Sequence, residues 1–268
     1  MKHTVLLLLL SILPDWAWAG AWVQPEGATF LSLTTTLTST QHYFDEDSSL
    51  RSRGGRFTKY ELAAYGEHGL TERDTVSLKV PLQRLTDTVD GSSSAGLADL
   101  EVGWRRLLWS QGGAVLSSQL LALVPTGYRL DDPPALGYDR LGIEPSLLAG
   151  YGFQWAGRPG FVEAQMGLRA YAGYPSEQIR ALLAGGYEVL PWLTPIATVE
   201  LHHALGNGED RQEGDATIIT NYTLLKGTLG CIIPVYDGLR LTAGWQQHLW
   251  GKVTGRDGGP YVGLWLYF

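Results

Sequence analysis

The residue types best suited to chemistry meet in Glu200-Leu-His-His203, the one place where two histidines are adjacent. A carboxylate two positions from an imidazole on an extended strand shares its face, so Glu200 could orient His202 as a general base. A hydrolase also needs a nucleophile and an oxyanion site close by, and no local nucleophile signature accompanies the pair. His203 points to the opposite face, so the two imidazoles cannot ligate one metal from the same side. His42 with Glu46, and Glu209 with Asp210, fall in loop-like sequence and read as solvated charge rather than cation sites. There is no phosphate-binding glycine loop, paired-cysteine metal spacing or dinucleotide fingerprint. Cys231 is the single cysteine, which excludes a disulfide framework; in phase with Leu229 and Ile233, it reads as a small apolar residue. The sequence points away from an enzyme and names no cofactor or metal.

Charge of both signs recurs instead at alternate positions of apolar segments. Side chains of a strand alternate between two faces. Assigning each apolar set to lipid turns Lys59, Glu61 and Glu67 inward, followed by Asp99, Glu101 and Arg105. The same phase turns in Glu163, Gln165, Arg169 and Tyr171, then Gln178, Arg180 and Glu188. Thr198, Glu200 and His202 follow, and finally Arg240, Thr242, Gln246 and His248. A charge on a lipid face costs roughly 2–4 kcal/mol near the bilayer midplane, so the segregation supports the phase. The charged members and His202 form a candidate lumen lining. Two uses suit it: a polar passage for a hydrophilic solute, or a lattice of paired charges that fills and stiffens a narrow barrel.

These positions need strands to hold them. Alternating segments fall at 28–40, 56–68, 75–85, 97–109, 114–125, 141–153, 161–173, 176–189, 194–205, 217–235, 238–249 and 260–268. They number about twelve, an even count, as a single-chain bacterial barrel requires. The tenth is long for one crossing, and its membrane part is read as Tyr222 to Val235. Connections are short at 69–74, 110–113, 156–160, 191–192 and 236–238, and longer at 41–55, 86–96, 126–140, 206–215 and 251–259. They alternate, as periplasmic turns and extracellular loops do. The exception lies near Tyr174-Pro175, short where a long connection is due. A soluble sandwich or lipocalin-like barrel would also alternate, but with its apolar side chains inside. Strand length and loop asymmetry favour the membrane form.

Both ends agree. Pro260-Tyr-Val-Gly-Leu-Trp-Leu-Tyr-Phe268 sets Val262, Leu264, Leu266 and Phe268 on one face and Tyr261, Gly263, Trp265 and Tyr267 on the other. At the start, basic Met1-Lys2-His3, the apolar run from Thr4 to Leu13 and the small-x-small site Ala17-Trp18-Ala19 spell a signal peptide cleaved before Gly20. The run is too short for a membrane helix, which needs about 20 residues. Residues 1–19 are thus expected to be a leader and 20–268 a single domain. A mean hydropathy of −0.05 suits a barrel in which only alternate residues face lipid. The 10 Trp and 13 Tyr can supply interfacial girdles. A formal charge of −7 argues against a nucleic-acid partner. The expected fold class is all-β, a single transmembrane antiparallel β-barrel in the bacterial outer membrane, among its lipids and lipopolysaccharide. Asp45-Glu-Asp47 followed by Arg51, Arg53 and Arg56 suits contacts with that surface.

The terminal strand resembles the closing strand of bacterial outer-membrane barrels, which implies that Phe268 closes the barrel and is read by the barrel-assembly machinery. Gly20-Ala-Trp-Val-Gln-Pro-Glu-Gly27, Leu31-Ser-Leu-Thr-Thr-Thr-Leu37, Phe44-Asp-Glu-Asp47, Phe57-Thr-Lys-Tyr-Glu-Leu62, Gly66 to Arg73 and Gly96-Leu-Ala-Asp-Leu-Glu-Val-Gly103 resemble the XagA-like outer-membrane proteins. These stand near the group named after the MetA pathway of phenol degradation. The resemblance implies a channel or transporter for a small hydrophilic or aromatic compound, partnered with an envelope polysaccharide or small-solute system and linked to exopolysaccharide and biofilm. It carries over no catalytic residue. The alternatives are a structural or surface-binding barrel with a plugged lumen and, third, an outer-membrane hydrolase.

Overall fold

The computed structural model describes residues 20–131, 134–173, 175–209, 211–213 and 216–268, with backbone alone at 211–213 and 216–218. The expected leader, Tyr174 and Asp210 lie outside the described residues. The strand segments in chain order are β1 (Thr29–Phe44), β2 (Leu50–Gly69), β3 (Asp74–Asp87), β4 (Ser93–Leu97), β5 (Leu100–Gln111), β6 (Ala114–Val124), β7 (Gly142–Trp155) and β8 (Arg158–Tyr171). They continue as β9 (Gln178–Tyr187), β10 (Thr194–Ala204), β11 (Arg211–Glu213), β12 (Ala216–Ile218), β13 (Thr223–Tyr236), β14 (Leu239–Lys252), β15 (Thr254–Gly255) and β16 (Gly258–Tyr267). Neighbours pair antiparallel, and β1 pairs with both β2 and β16, so the sheet closes on itself. β4 and β5 are halves of one crossing, β15 extends β16 along β1, and β11 with β12 forms a separate hairpin. Twelve crossings make the wall.

The strand expected at 97–109 starts earlier, at Ser93, and breaks at Ala98-Asp99. Pro81 on β3 is the cause: it has no N–H to give a central ladder, and it keeps one bond across the break, from the Ala98 amide to its carbonyl at 2.9 Å. The expected loop 41–55 is a correction. β1 and β2 run on through it and turn only at Asp45–Ser49. Asp45 ties that turn together: one carboxylate oxygen accepts the amides of Asp47 (3.0 Å) and Ser49 (2.8 Å), and the other takes Arg51 Nε at 2.8 Å. The Arg51 hydrogen bond holds the Asp45 carboxyl below the usual carboxylate range. The membrane part of the long tenth segment, read as Tyr222 to Val235, is β13, which runs from Thr223 to Tyr236.

Burial shows which solvent the wall faces. Leu147 (58 % exposed), Met166 (64 %) and Leu229 (69 %) are open to the outside, whereas Glu67 (2 %), Glu144 (3 %) and Arg105 (5 %) are hidden within. A soluble barrel has the reverse arrangement. An apolar exterior around a polar interior is an outer-membrane β-barrel, whose crossings pair their backbone groups with neighbouring strands. Leu147→Arg, on the outer face of β7, should cost about 2–4 kcal/mol in urea titrations of the vesicle-embedded barrel. A change under ~0.5 kcal/mol, the range usual for innocuous surface substitutions, would mean that this face does not meet lipid.

The start of β1 and the end of β16 set the sides. Thr29 and Phe268 exchange both backbone bonds, at 2.7 and 3.0 Å, on the rim that also carries the tight turns after β2, β5 and β7. A tag placed at Asp45–Ser49 should be labelled on intact cells, and one at Gly112 should not. Labelling of the second alone would invert the topology.

Candidate functional site

The site is the interior of the barrel, in two layers. At the rim where β1 starts and β16 ends the inside is apolar: Phe161 and Ile232 are buried, with Trp22, Ile196 and Trp265 packed against them. Phe30 lies on the same floor, edge to face with Trp265 at 5.8 Å. Nothing in the strand pattern announces Trp22 here, because it precedes β1.

The chain ahead of β1 turns into the barrel. Glu26 bridges to Gly69 in a parallel pair, and a Cβ on Gly69 would collide with the Pro25 carbonyl, so only glycine lets the segment over the rim. The Gln24 amide donates to Thr75 Oγ1 at 2.7 Å, and its side-chain amide donates to Glu67 Oε2 at 2.7 Å. Arg105 Nη1 donates to the Trp22 carbonyl at 2.9 Å, and Ser117 Oγ to the Ala21 carbonyl at 2.6 Å. The Ala21 amide donates to Glu163 Oε2 at 3.2 Å. On β7, Gly150 leaves the space: a Cβ there would lie 2.7 Å from the Trp22 ring and 2.9 Å from Ala21 Cβ. Gly20–Gln24 is therefore a fitted internal segment, with Ala21 and Gln24 each 1 % exposed.

Above it stands a belt of paired charge. Arg105 Nη2 is 3.0 Å from Glu67 Oε1 and also donates, through Nε and Nη2, to Gln119 Oε1 at 3.2 and 3.0 Å. Tyr65 donates to the same Glu67 carboxylate. Arg169 meets Glu144 at 2.6 Å, Lys79 meets Glu101 at 3.4 Å, and Lys59 meets Glu61 at 2.7 Å. On the other side Glu200 lies 2.7 Å from Lys226 and 3.7 Å from His202. A cavity of about 200 Å³ opens between the layers, lined by Gly20, Tyr65, Glu101, Arg105, Glu144 and Arg169 among others.

Of the expected lumen residues, Lys59, Glu61, Glu101, Arg105, Arg169, Glu200 and His202 stand in this belt, while Glu163 faces the Gly20–Gln24 segment. Asp99 sits in the β4–β5 break, where Tyr128 donates to it. Glu188 lies just past the end of β9 at the turn rim, 3.6 Å from Arg158. Arg240 stands over the Tyr267 ring at 4.8 Å. Arg180 reaches Gln178 at 3.2 Å. Reasoning from the sequence passed over Glu144, Lys79 and Lys226, although strict alternation from the outward Ile143, Leu78 and Leu229 would have found each. Glu200 and His202 do share a face, but Lys226 takes the carboxylate. Among the described residues no group of three or more His, Cys, Asp and Glu could hold a metal.

Solved structures share this architecture. The COG4313 outer membrane channel from Pseudomonas putida F1 superposes with a TM-score of 0.76 at 16 % identity, covering 95 % of this chain and 100 % of that one. The NanC porin superposes with a TM-score of 0.57 at 8 % identity, covering 88 % of this chain and 98 % of that one. At such identities the likeness is one of fold. No family model matches the sequence, and no curated protein does.

Proposed function

We propose that the chain is a narrow outer-membrane channel for small hydrophilic or aromatic compounds, of the XagA-like kind its sequence resembles, with no catalysis of its own. The observation that supports this reading is the cavity of about 200 Å³ between fixed charges of both signs and the Gly20–Gln24 segment, which hydrogen bonds hold inside the barrel. Charged walls around water are what selective passage of small polar solutes uses. That the fold is shared with a structure described as a channel, and with a porin, supports it further. A role beside an exopolysaccharide or catabolic system rests on the resemblance alone, and the genes next to this one separate the two.

The test is solute entry into liposomes carrying the folded barrel. Entry should fall steeply with solute size, and Glu101→Gln should tilt ion selectivity towards anions, because Lys79 is then left uncompensated in the wall. The second reading, a surface-acting barrel with a filled lumen, is favoured by the ion pairs and by the Gly20–Gln24 segment. Liposomes that remain impermeable to the smallest solutes would select it.

A further inference from the structure

We propose that Glu163 is the receptor for the α-ammonium group of a chain cut between Ala19 and Gly20, so that removal of the leader itself installs Gly20–Gln24 as a plug. This goes beyond the channel reading and stands without it.

Four acids of the interior have cations: Glu67 has Arg105, Glu144 has Arg169, Glu101 has Lys79 and Glu200 has Lys226. Glu163, on the inward face of β8, has none within ion-pair distance among the described residues. Its one hydrogen bond comes from the Ala21 amide at 3.2 Å. Arg105 is committed to Glu67, Gln119 and the Trp22 carbonyl. A carboxylate withdrawn from water is costly unless a cation joins it. The missing cation has an obvious source. The Cα of Gly20 lies against this carboxylate, so closely that a Cβ there would overlap it. The nitrogen of Gly20 is one bond from that Cα.

Ala17-Trp18-Ala19 supplies the cleavage signal directly before that nitrogen. A leader peptidase of the envelope adds water across the Ala19–Gly20 peptide bond, leaving a carboxylate on Ala19 and an amine on Gly20. The amine takes up a proton, since free α-amino groups titrate near pH ~8. While the bond is intact, the same nitrogen is a neutral amide tied to a run of five leucines, Leu6 to Leu10, ill suited to a charged lumen. Cutting therefore creates the charge that Glu163 lacks and frees the segment that carries it.

The experiment reads the α-amine directly. Intact mass of the purified barrel should give a chain beginning at Gly20. A pyridine carboxaldehyde, which captures N-terminal amines, should label the folded wild type at least tenfold more slowly than the urea-unfolded chain. Glu163→Gln should remove most of that protection. If Glu163→Gln fails to fold, Gly150→Leu, which crowds Trp22 and Ala21 and leaves Glu163 intact, should release the amine in the same way. Equal labelling of folded and unfolded wild type, full protection in a folded Glu163→Gln barrel, or a mature chain starting elsewhere would overturn the proposal. None of these results depends on conductance, so a silent channel leaves them readable.

Discussion

Replacing Arg105 by methionine should lower the unfolding free energy of the barrel by about 3–5 kcal/mol, the usual cost of stripping one partner from a buried ion pair. Arg105 is 5 % exposed, and its side chain serves Glu67, Gln119 and the Trp22 carbonyl at once. Its loss leaves the Glu67 carboxylate, 2 % exposed, charged and without a cation. Arg105→Met with Glu67→Leu should recover much of the loss, because a hydrophobic pair of similar volume tolerates such a site. Recovery should be incomplete, since Tyr65 and Gln24 also donate to Glu67 and would lose their acceptor. Urea titration followed by heat-modifiable gel mobility measures both variants against the wild type. A single variant as stable as the wild type would mean that water reaches this pair freely.

The second large effect concerns closure. β16 pairs with β1 from Phe30↔Tyr267 to Ser39↔Gly258 and with β14 on its other side. Removing residues 258–268 exposes two strand edges to lipid, where each unpaired backbone group costs several kcal/mol. No folded barrel band should remain. Phe268→Ser separates closure from delivery. The bonds between Phe268 and Thr29 are backbone bonds, and the ring is 71 % exposed. Refolded in detergent, the variant should therefore be nearly as stable as the wild type. In cells its outer-membrane level should fall severalfold, because the terminal aromatic is what the assembly machinery is expected to read. Unchanged levels in cells would remove Phe268 from that role.

The wall was legible in the sequence because lipid outside and charge inside impose a period of two on every crossing. β10, expected at 194–205, occupies Thr194–Ala204, and β6, expected at 114–125, occupies Ala114–Val124. Most of what escaped depends on contacts between strands or far apart in sequence. The interruption at Ala98-Asp99 follows from Pro81 on the neighbouring strand. The extension of β1 to Phe44 and of β2 back to Leu50 follows from a turn clamped by Asp45. The partners of Glu144, Glu101 and Glu200 each lie on an adjacent strand, so alternation gives the face but not the pair. Gly20–Gln24 has no periodicity at all. Its place is set by Arg105, Ser117 and Glu163, 83 to 142 residues further on.

If the barrel is the channel proposed above, its floor is the obstacle to conduction. Single-channel recording in planar bilayers compares the wild type with a variant lacking Gly20–Gln24, both verified as folded by heat-modifiable mobility. The account predicts small or intermittent openings for the wild type and steady conductance, severalfold larger, once the segment is gone. Two folded barrels that are equally silent would contradict it and leave a filled, ion-paired cylinder acting through its surface.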